Sequence, residues 1–321
     1  AASDVYKRQM LFYNYSRKQI TEDAIDHAHG LLQNTATQIS GELQIVEATL
    51  KQSVWIVEKN LSTPDSLSDI LTAIVKNNSL IVGSGIAFIP EYYKEKGKYF
   101  MPYAFSINEG EEEVINFLKL GGADYDYPCM DWYLIPKLLK KSYWSEPYYD
   151  TGGGNTIMST YSLPLCNQQG EVYAIFTANI SLSRFTDMVN ELKPYQSSYT
   201  FLLSRNGSFL THPDREKIMN ETIFSVALSN NDNKEEEIGH NMLDGLTGTV
   251  QFDSAKQSSY ALYTAIPNCG WSICTVCPGE VILHSLDRTS HRIIYVFLIG
   301  MLVLLPLIYL SLIHISEPTR L

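Results

Sequence analysis

The densest group of side chains with binding chemistry lies in residues 125–150, YDYPCMDWYLIPKLLKKSYWSEPYYD. Eight aromatic rings stand here among four carboxylates: Asp126, Asp131, Glu146 and Asp150. Rings with a few polar atoms are typical of a small-molecule pocket. They are equally typical of a tyrosine-rich core edge whose hydroxyls find local partners. Composition alone leaves both interpretations open.

Three other motifs resemble known sites less closely. Cys274-Thr-Val-Cys277 lacks the second pair of ligands that a zinc site needs, so we expect buried thiols or a single disulfide. Asp150-Thr-Gly-Gly-Gly154 lacks the lysine of a phosphate loop, and His212-Pro-Asp214 lacks a nucleophile. Both are predicted to be turns. No catalytic residue, metal ligand or cofactor site is predicted.

Length and charge narrow the functional class. A chain of 321 residues accommodates two domains, each with its own core. The formal charge of −11 and a pI near 5.1 argue against a nucleic-acid partner, because no basic stripe is available to neutralise phosphates. Five cysteines are too few for a disulfide framework. The acidic runs at residues 111–113 and 235–237 are predicted to be solvated loops.

Residues 293–313, IIYVFLIGMLVLLPLIYLSLI, contain no charged side chain. The segment has the length that a helix needs to cross the hydrocarbon core of a bilayer. A buried core helix, the alternative, normally shows a polar face. Pro306 is tolerated in a membrane helix. The sequence therefore predicts a transmembrane helix over 293–313, preceded by a connector helix over 281–292.

Both ends of the chain look foreign to the rest. Residues 1–9 and 311–321 resemble translated sequencing-adaptor sequence, and we expect both to be artefacts. Residues 10–19 then read as the end of a first membrane helix with its juxtamembrane segment. On this interpretation the natural protein continues beyond both ends.

Apolar residues recur at steps of three and four from Ile20 to Leu61, which predicts one long helix over 20–62. Strand, turn and short-helix signals follow in two sets. The first covers 63–194 and includes a hairpin of 156–164 with 171–180; the second covers 195–280. The predicted fold is α+β: a long N-terminal helix, two PAS-like lobes with antiparallel sheets, and a transmembrane helix.

This order of elements resembles the double Cache sensor module of bacterial transmembrane receptors. The resemblance rests on several phrases in the family's order: Asp131-Trp-Tyr133, Trp144-Ser-Glu-Pro-Tyr-Tyr-Asp150, Tyr161-Ser-Leu-Pro164, Ala178-Asn-Ile-Ser-Leu182, Phe201-Leu-Leu-Ser-Arg-Asn-Gly207, His212-Pro-Asp214 and Gly270-Trp271. It covers about residues 20–313. It implies a membrane-distal lobe over 63–194 and a membrane-proximal lobe over 195–280.

In that family the membrane-distal lobe holds a small ligand, in a pocket built largely from the stretch that corresponds to 125–150. The amino-acid-binding members use an arginine two places before a Trp-Tyr pair and an aspartate at the end of a later strand. Here Met130 and Asn179 stand at those positions, so a bidentate grip on a carboxylate is missing. The ligand-binding residues implied by the resemblance are Tyr125, Met130, Asp131, Trp132, Tyr133, Trp144, Tyr148, Asp150, Tyr161 and Asn179.

The resemblance implies the input half of a membrane signalling receptor rather than an enzyme, with residues 20–290 in the periplasm or outside the cell and the helix in the bacterial inner membrane. The expected ligand is an amine, held by rings and carboxylates, or an uncharged metabolite. The expected partners are the membrane and a second copy of the chain, in a homodimer. The cytoplasmic output domain would follow Leu310. A membrane-anchored structural or protein-interaction domain without a small ligand is the alternative.

Overall fold

The computed structural model describes residues 2–282, apart from 110–111, 122–124, 151–155, 196 and 255–256, and beyond 282 it describes only Leu302 and Pro306. One long helix runs beside two antiparallel sheets. The helices are α1 (Ala2–Lys59), α2 (Leu67–Asn77), α3 (Asp131–Leu139), α4 (Leu182–Glu191), α5 (Ile223–Asn230) and α6 (Asn233–Leu243).

The larger sheet has the strand order β3-β2-β1-β7-β6-β4, and β5 pairs with the same edge of β6 as β4. Its strands are β1 (Gly83–Phe88), β2 (Met101–Glu109), β3 (Glu112–Leu120), β4 (Tyr143–Trp144), β5 (Tyr148–Tyr149), β6 (Ile157–Cys166) and β7 (Val172–Ser181). The predicted hairpin of 156–164 with 171–180 is therefore confirmed as β6 and β7, which pair Thr160 with Asn179 and Ser162 with Thr177.

The smaller sheet has the order β10-β11-β12-β8-β9. Its strands are β8 (Tyr199–Leu203), β9 (Phe209–Thr211), β10 (Gly248–Ser254), β11 (Gln257–Ile266) and β12 (Trp271–Pro278). The turn between β8 and β9 contains Asn206 and Gly207, and Gly207 has the positive φ of 83° that favours glycine. Helices α5 and α6 cover the face of this sheet that is turned away from α1.

Helix α1 joins the two lobes. Its buried stripe, from Ala24 to Val57, forms one apolar cluster with residues of both sheets. Side-chain hydrogen bonds reinforce this packing: His29 bonds Thr249 of the smaller lobe at 2.7 Å, and the Glu47 carboxylate accepts from the Trp144 indole of the larger lobe at 3.1 Å. The stripe arises from the period of a helical face, so a single helix serves as the wall of two cores.

Each sheet buries both of its faces, because alternate residues of a strand point in opposite directions. In the larger sheet Ile86, Phe88 and Phe176 face α1. Gly83, Gly85 and Ala87 of β1 point to the other face, which carries the site described below. Since both faces are buried, the strands read as continuous apolar runs rather than as alternating ones.

Several boundaries differ from the sequence prediction. Helix α1 begins at Ala2 rather than Ile20, so it continues through the segments expected to be an artefact and a membrane-helix end. Of the two acidic runs expected to be loops, one opens strand β3 at Glu112 and the other, at residues 235–237, lies in helix α6. A strand tolerates such charges where it forms the edge of a sheet, as β3 does.

The predicted transmembrane helix over 293–313 lies outside the described residues, except for Leu302 and Pro306, and the connector lies outside them from residue 283. Within the described part of the chain, no helix combines the length and apolar character that membrane crossing requires.

The Cys274-x-x-Cys277 pair consists of free, buried thiols. Three residues apart on β12, the two side chains lie on opposite faces of the sheet: Cys274 packs beneath α5 and α6, and Cys277 packs in the cluster with α1. Burial raises the pKa of the Cys277 thiol to about 12, so this thiol stays protonated and unreactive at neutral pH.

Candidate ligand site in the larger lobe

The site begins with two glycines of β1. A side chain on Gly83 would collide with the hydroxyl and ring of Tyr103, and one on Gly85 would approach the Tyr103 ring to 3.0 Å. Because neither glycine has a Cβ, the Tyr103 ring on β2 lies flat across β1. It reaches β7, where its hydroxyl accepts a hydrogen bond from Asn179 Nδ2 at 3.0 Å.

A chain of hydrogen bonds continues from Asn179 across the sheet. Thr160 on β6 donates to Asn179 Oδ1 at 3.2 Å, and the Tyr148 hydroxyl lies 2.7 Å from Thr160 Oγ1. Side chains of four strands thus converge on one face: Tyr103, Asn179, Thr160 and Tyr148. Asn179 is only 5% exposed, and this network satisfies its amide.

Helix α3 and the turn before it cover this face with aromatic rings. Tyr127 is fully buried, and its hydroxyl donates to the Phe88 carbonyl at 2.6 Å and accepts from the Phe100 N–H at 3.2 Å. Its ring packs against Tyr133 and Trp132 of α3. Helix α3 spans Asp131–Leu139, and Pro136 lies inside it.

One charged side chain lies beside the polar network. Asp150, just after β5, lies close enough to Tyr103, Tyr125 and Tyr148 for its charge to raise the pKa of each hydroxyl. Burial is the larger cause in all three cases; it brings the pKa of Tyr125 to about 12, although the Trp132 indole donates a hydrogen bond that opposes the shift. At neutral pH these hydroxyls stay protonated and are able to donate.

Two further hydroxyls near this network have no hydrogen-bond partner among the described residues. Tyr133 Oη is buried beneath α3, and Ser162 Oγ lies on β6 in the row that crosses Thr177, Gly85 and Tyr103. Leaving a buried hydroxyl without a partner costs about 1–3 kcal/mol. Such groups are normally paired with protein, ordered water or a bound molecule.

Two of the predicted site residues lie on the opposite face of the sheet. Trp144 and Tyr161 pack together against α1, and Trp144 contacts Trp271 of the smaller lobe with ring centroids 5.7 Å apart. They lie apart from the hydrogen-bonded network, because Tyr161 alternates with Thr160 and Ser162 along β6. They belong to the junction between the lobes.

Two more predicted residues lie on the surface. Met130 is 38% exposed. Asp131 is also exposed, at the start of α3, and its charge acts on Tyr143 and Glu146. Glu146 is half-buried near Arg205 of the smaller lobe, and its partial burial raises the pKa of its carboxyl. Neither Met130 nor Asp131 joins the hydrogen-bonded network.

The network therefore contains Tyr148 and Asn179 from the predicted set, and Tyr125, Trp132, Tyr133 and Asp150 lie beside it. Sequence reasoning missed Tyr103 and Thr160. A signal for Tyr103 existed in Gly83-Ser-Gly85: a strand that gives up two side chains on one face leaves room for a neighbouring ring.

Residues 67–187 match the family model of the first PDC sensor domain of methyl-accepting chemotaxis protein-like receptors. This match confirms, for the larger lobe, the resemblance seen in the sequence to sensor domains rather than to enzymes.

Two curated chemoreceptors are similar in sequence. The chain is 27% identical over 160 residues to the methyl-accepting chemotaxis protein PscA of Pseudomonas syringae pv. tomato. This alignment covers 49% of this chain and 23% of PscA. It is 28% identical over 97 residues to PctB of Pseudomonas aeruginosa, covering 30% of this chain and 15% of PctB. The chain thus spans less than a quarter of the length of these relatives.

Solved sensor domains share the fold across both lobes of this chain. The extracellular domain of mmHK1S-Z3, described as a histidine kinase, superposes with a TM-score of 0.70 at 20% sequence identity. The superposition covers 83% of this chain and 98% of the mmHK1S-Z3 domain. The periplasmic sensory domain of the Campylobacter jejuni chemoreceptor Tlp1 superposes with a TM-score of 0.65 at 17% identity, over 82% of this chain and 98% of the Tlp1 domain. The ligand-binding domain of PctB in complex with L-Arg superposes with a TM-score of 0.57 at 15% identity, over 81% of this chain and 97% of the PctB domain.

Proposed function

We propose that the larger lobe binds a small molecule outside the cytoplasm and forms the input part of a membrane receptor. The observation that carries this proposal is the hydroxyl network on one face of the sheet, which converges on Asp150 beneath the aromatic cover of α3. A core edge has no need of two buried hydroxyls without partners among the described residues. A bound molecule with several polar atoms would satisfy them.

The chemistry of the network favours an amine. Asp150 is a partly buried carboxylate among aromatic rings, and such a setting attracts an ammonium or quaternary ammonium group through ionic and cation–π contacts. The protonated hydroxyls of Tyr103 and Tyr125 then donate to a neutral acceptor elsewhere on the ligand. An uncharged polar metabolite would use the hydroxyls alone.

Several solved relatives were captured with amino acids: PctB with L-Arg, Mlp24 with asparagine and CtaA with L-isoleucine. In this chain Met130 is 38% exposed and Asn179 is held by Tyr103 and Thr160. Neither residue supplies a charge for an α-amino acid's two ionic groups. We therefore propose a ligand that has an amino group but does not depend on a carboxylate.

Signal transmission follows from the position of α1. Through Glu47 it bonds the larger lobe, and through Ser40, which donates to the Pro267 carbonyl at 3.1 Å, it bonds the smaller lobe. A ligand that prefers one lobe geometry shifts the balance between two states by its difference in affinity for them. We propose that α1 and the segment after β12 carry this shift to membrane helices, including 293–313, and onward to a cytoplasmic output domain.

The test is isothermal titration calorimetry on the purified chain with ethanolamine, choline, putrescine and a neutral polyol panel. We expect binding of at least one amine, and we expect Asp150→Asn to weaken it at least tenfold, which corresponds to about 1.4 kcal/mol. Asp126→Asn is the matched control, because Asp126 is exposed and lies outside the network; it should leave the affinity unchanged. Polyol binding that survives Asp150→Asn would indicate that the ligand is uncharged rather than an amine.

A protein-contact function is the second candidate, and a specific surface favours it. Helix α3 exposes three leucines: Leu134, Leu138 and Leu139 at 40%, 70% and 60%. Apolar side chains grouped on one helix are typical of contact surfaces. If this surface is the functional one, Leu138→Lys should abolish partner capture while Asp150→Asn has no effect on signalling.

We also propose a homodimer along α1. Ile45 of α1 is 53% exposed beside a groove between α1 and α2. Sedimentation equilibrium should show a dimer that Ile45→Glu converts into a monomer. A monomeric parent chain would contradict this proposal without affecting the ligand site.

A further inference from the structure

The smaller lobe contains a cavity of about 680 Å³ between its sheet and the helices α5 and α6. All five strands contribute to an apolar floor: Phe201, Phe209, Phe252, Ala261, Cys274 and Val276. This volume lies within the range of about 300–1,000 Å³ that is typical of small-molecule sites. The cavity is on the face of the sheet away from α1, the same position that the polar network occupies in the larger lobe.

One side of the cavity offers hydrogen-bond donors. His212 and Lys217 follow β9, which forms one edge of the sheet. The Asp214 N–H donates to His212 Nδ1 at 2.9 Å, the shorter of the two contacts between these residues, so the neutral ring carries its proton on Nε2. Burial lowers the pKa of His212 and keeps the ring neutral. Lys217 has no ion-pair partner within the part of the chain that the structure describes.

The other side offers acceptors. Asp232 and Glu235 stand at the start of α6, which packs over β10, β11 and β12. Neighbouring strands are about 4.8 Å apart, so β11, the middle strand beneath α6, lies about 14 Å from β9. The donor and acceptor groups therefore face each other across a long apolar surface.

We propose that this cavity is a second ligand site that takes a linear zwitterion with an apolar body, of the class of short apolar peptides. The carboxylate end lies at Lys217 and His212, the ammonium end lies toward Asp232 and Glu235, and the side chains cover the aromatic floor. An α-amino acid carries its two charges on one carbon and cannot reach both sides. A chain of two to four residues extends about 7–14 Å and can reach both.

The site does not depend on the amine site proposed for the larger lobe, because the two lie on different sheets. Titration calorimetry on the purified full chain compares trileucine with N-acetyltrileucine, trileucine amide and leucine. We expect trileucine to bind, and we expect loss of either terminal charge to weaken binding at least tenfold. Leucine should bind no better than the blocked peptides at this site.

Variants with matched controls test the residue assignment. Lys217→Met and Glu235→Gln should each weaken trileucine binding at least fivefold. Lys234→Met and Glu236→Gln are the controls: Lys234 pairs with Glu237 and Glu236 with His240, on the exposed side of α6, and neither lines the cavity. Equal losses in a variant and its control would overturn the assignment.

Filling the cavity gives an independent measurement. Ala261→Leu projects into it from β11, so it should abolish trileucine binding while amine binding in the larger lobe is retained. Hydrogen exchange should show that trileucine protects residues 209–243 and leaves 143–181 unchanged. Failure of trileucine and both blocked peptides to protect 209–243 would overturn the proposal, whether or not Ala261→Leu folds.

Discussion

The two lobes share one plan and use it in different ways. Each presents one face of an antiparallel sheet to α1 and covers the other face with short helices. In the larger lobe the covered face is filled by tyrosines and closed by hydrogen bonds, because Gly83 and Gly85 admit the Tyr103 ring. In the smaller lobe the covered face keeps a cavity of about 680 Å³ with an apolar floor. Backbone topology thus fixes where a ligand meets the sheet, and a few side chains decide what ligand fits.

The lobes meet at Trp271, and its removal should have the largest effect. Trp271 is 1% exposed and packs against Trp144 of the larger lobe and Phe185 of α4. Trp271→Ala should lower the free energy of unfolding by about 3–5 kcal/mol and split a single calorimetric transition into two. Trp55→Ala, at a side chain that is 62% exposed, should stay within about 0.5 kcal/mol of the parent. An unsplit transition with parental stability would show that the lobes are not coupled through this ring.

The tyrosine-filled face depends on Tyr127. Tyr127→Phe removes the hydroxyl that bonds the Phe88 carbonyl and the Phe100 N–H. Two buried backbone groups then lose a partner, so urea denaturation should show a loss of about 1–3 kcal/mol. Tyr149→Phe, at a ring that is 51% exposed, is the control and should change little. Equal effects would mean that the buried hydroxyl adds nothing.

Alanine substitutions at two glycines, Gly85 in β1 and Gly41 in α1, should change the stability of the chain in opposite directions. Gly85→Ala places a Cβ within 2.7 Å of Met101 Cε and 3.0 Å of the Tyr103 ring, so it should cost about 1–3 kcal/mol and weaken ligand binding in the larger lobe. Gly41→Ala in α1 meets no atom within 4 Å and should stabilise the helix by about 0.5–1 kcal/mol. Stabilisation by Gly85→Ala would contradict the role assigned to the open space above β1.

The smallest effect concerns pH and the smaller lobe. Burial lowers the pKa of His212 in the folded chain, Lys217 lowers it further, and Asp214 opposes them. The unfolded chain therefore binds the proton more tightly. The stability that neutral His212 contributes is complete above its ordinary pKa of 6.5 and falls as pH drops below that value. Thermal melts at pH 7.5 and pH 5 should show a smaller difference for His212→Asn than for the parent chain.

The sequence predicted helices and hairpins better than it predicted the sheet face on which each strand residue lies. Apolar periods and turn signals identified α1 and the β6–β7 hairpin, since those signals are local. The sheet face on which Trp144 and Tyr161 lie could not be predicted. Both faces of β6 are buried, so its residues do not alternate between apolar and polar in a way that distinguishes the two faces. Strands β4 and β5 were missed for a similar reason: two residues each, they exist only through pairing with β6.

The central claim is that the tyrosine network around Asp150 is a ligand site. The most direct measurement is a crystal structure of the chain grown with the amine that binds most tightly in calorimetry. The account predicts density for the ammonium group within about 3 Å of an Asp150 carboxylate oxygen, the ionic hydrogen-bond distance, with a second polar atom bonded to Tyr103 or Tyr125. An amine bound elsewhere, with this network unchanged, would contradict the claim.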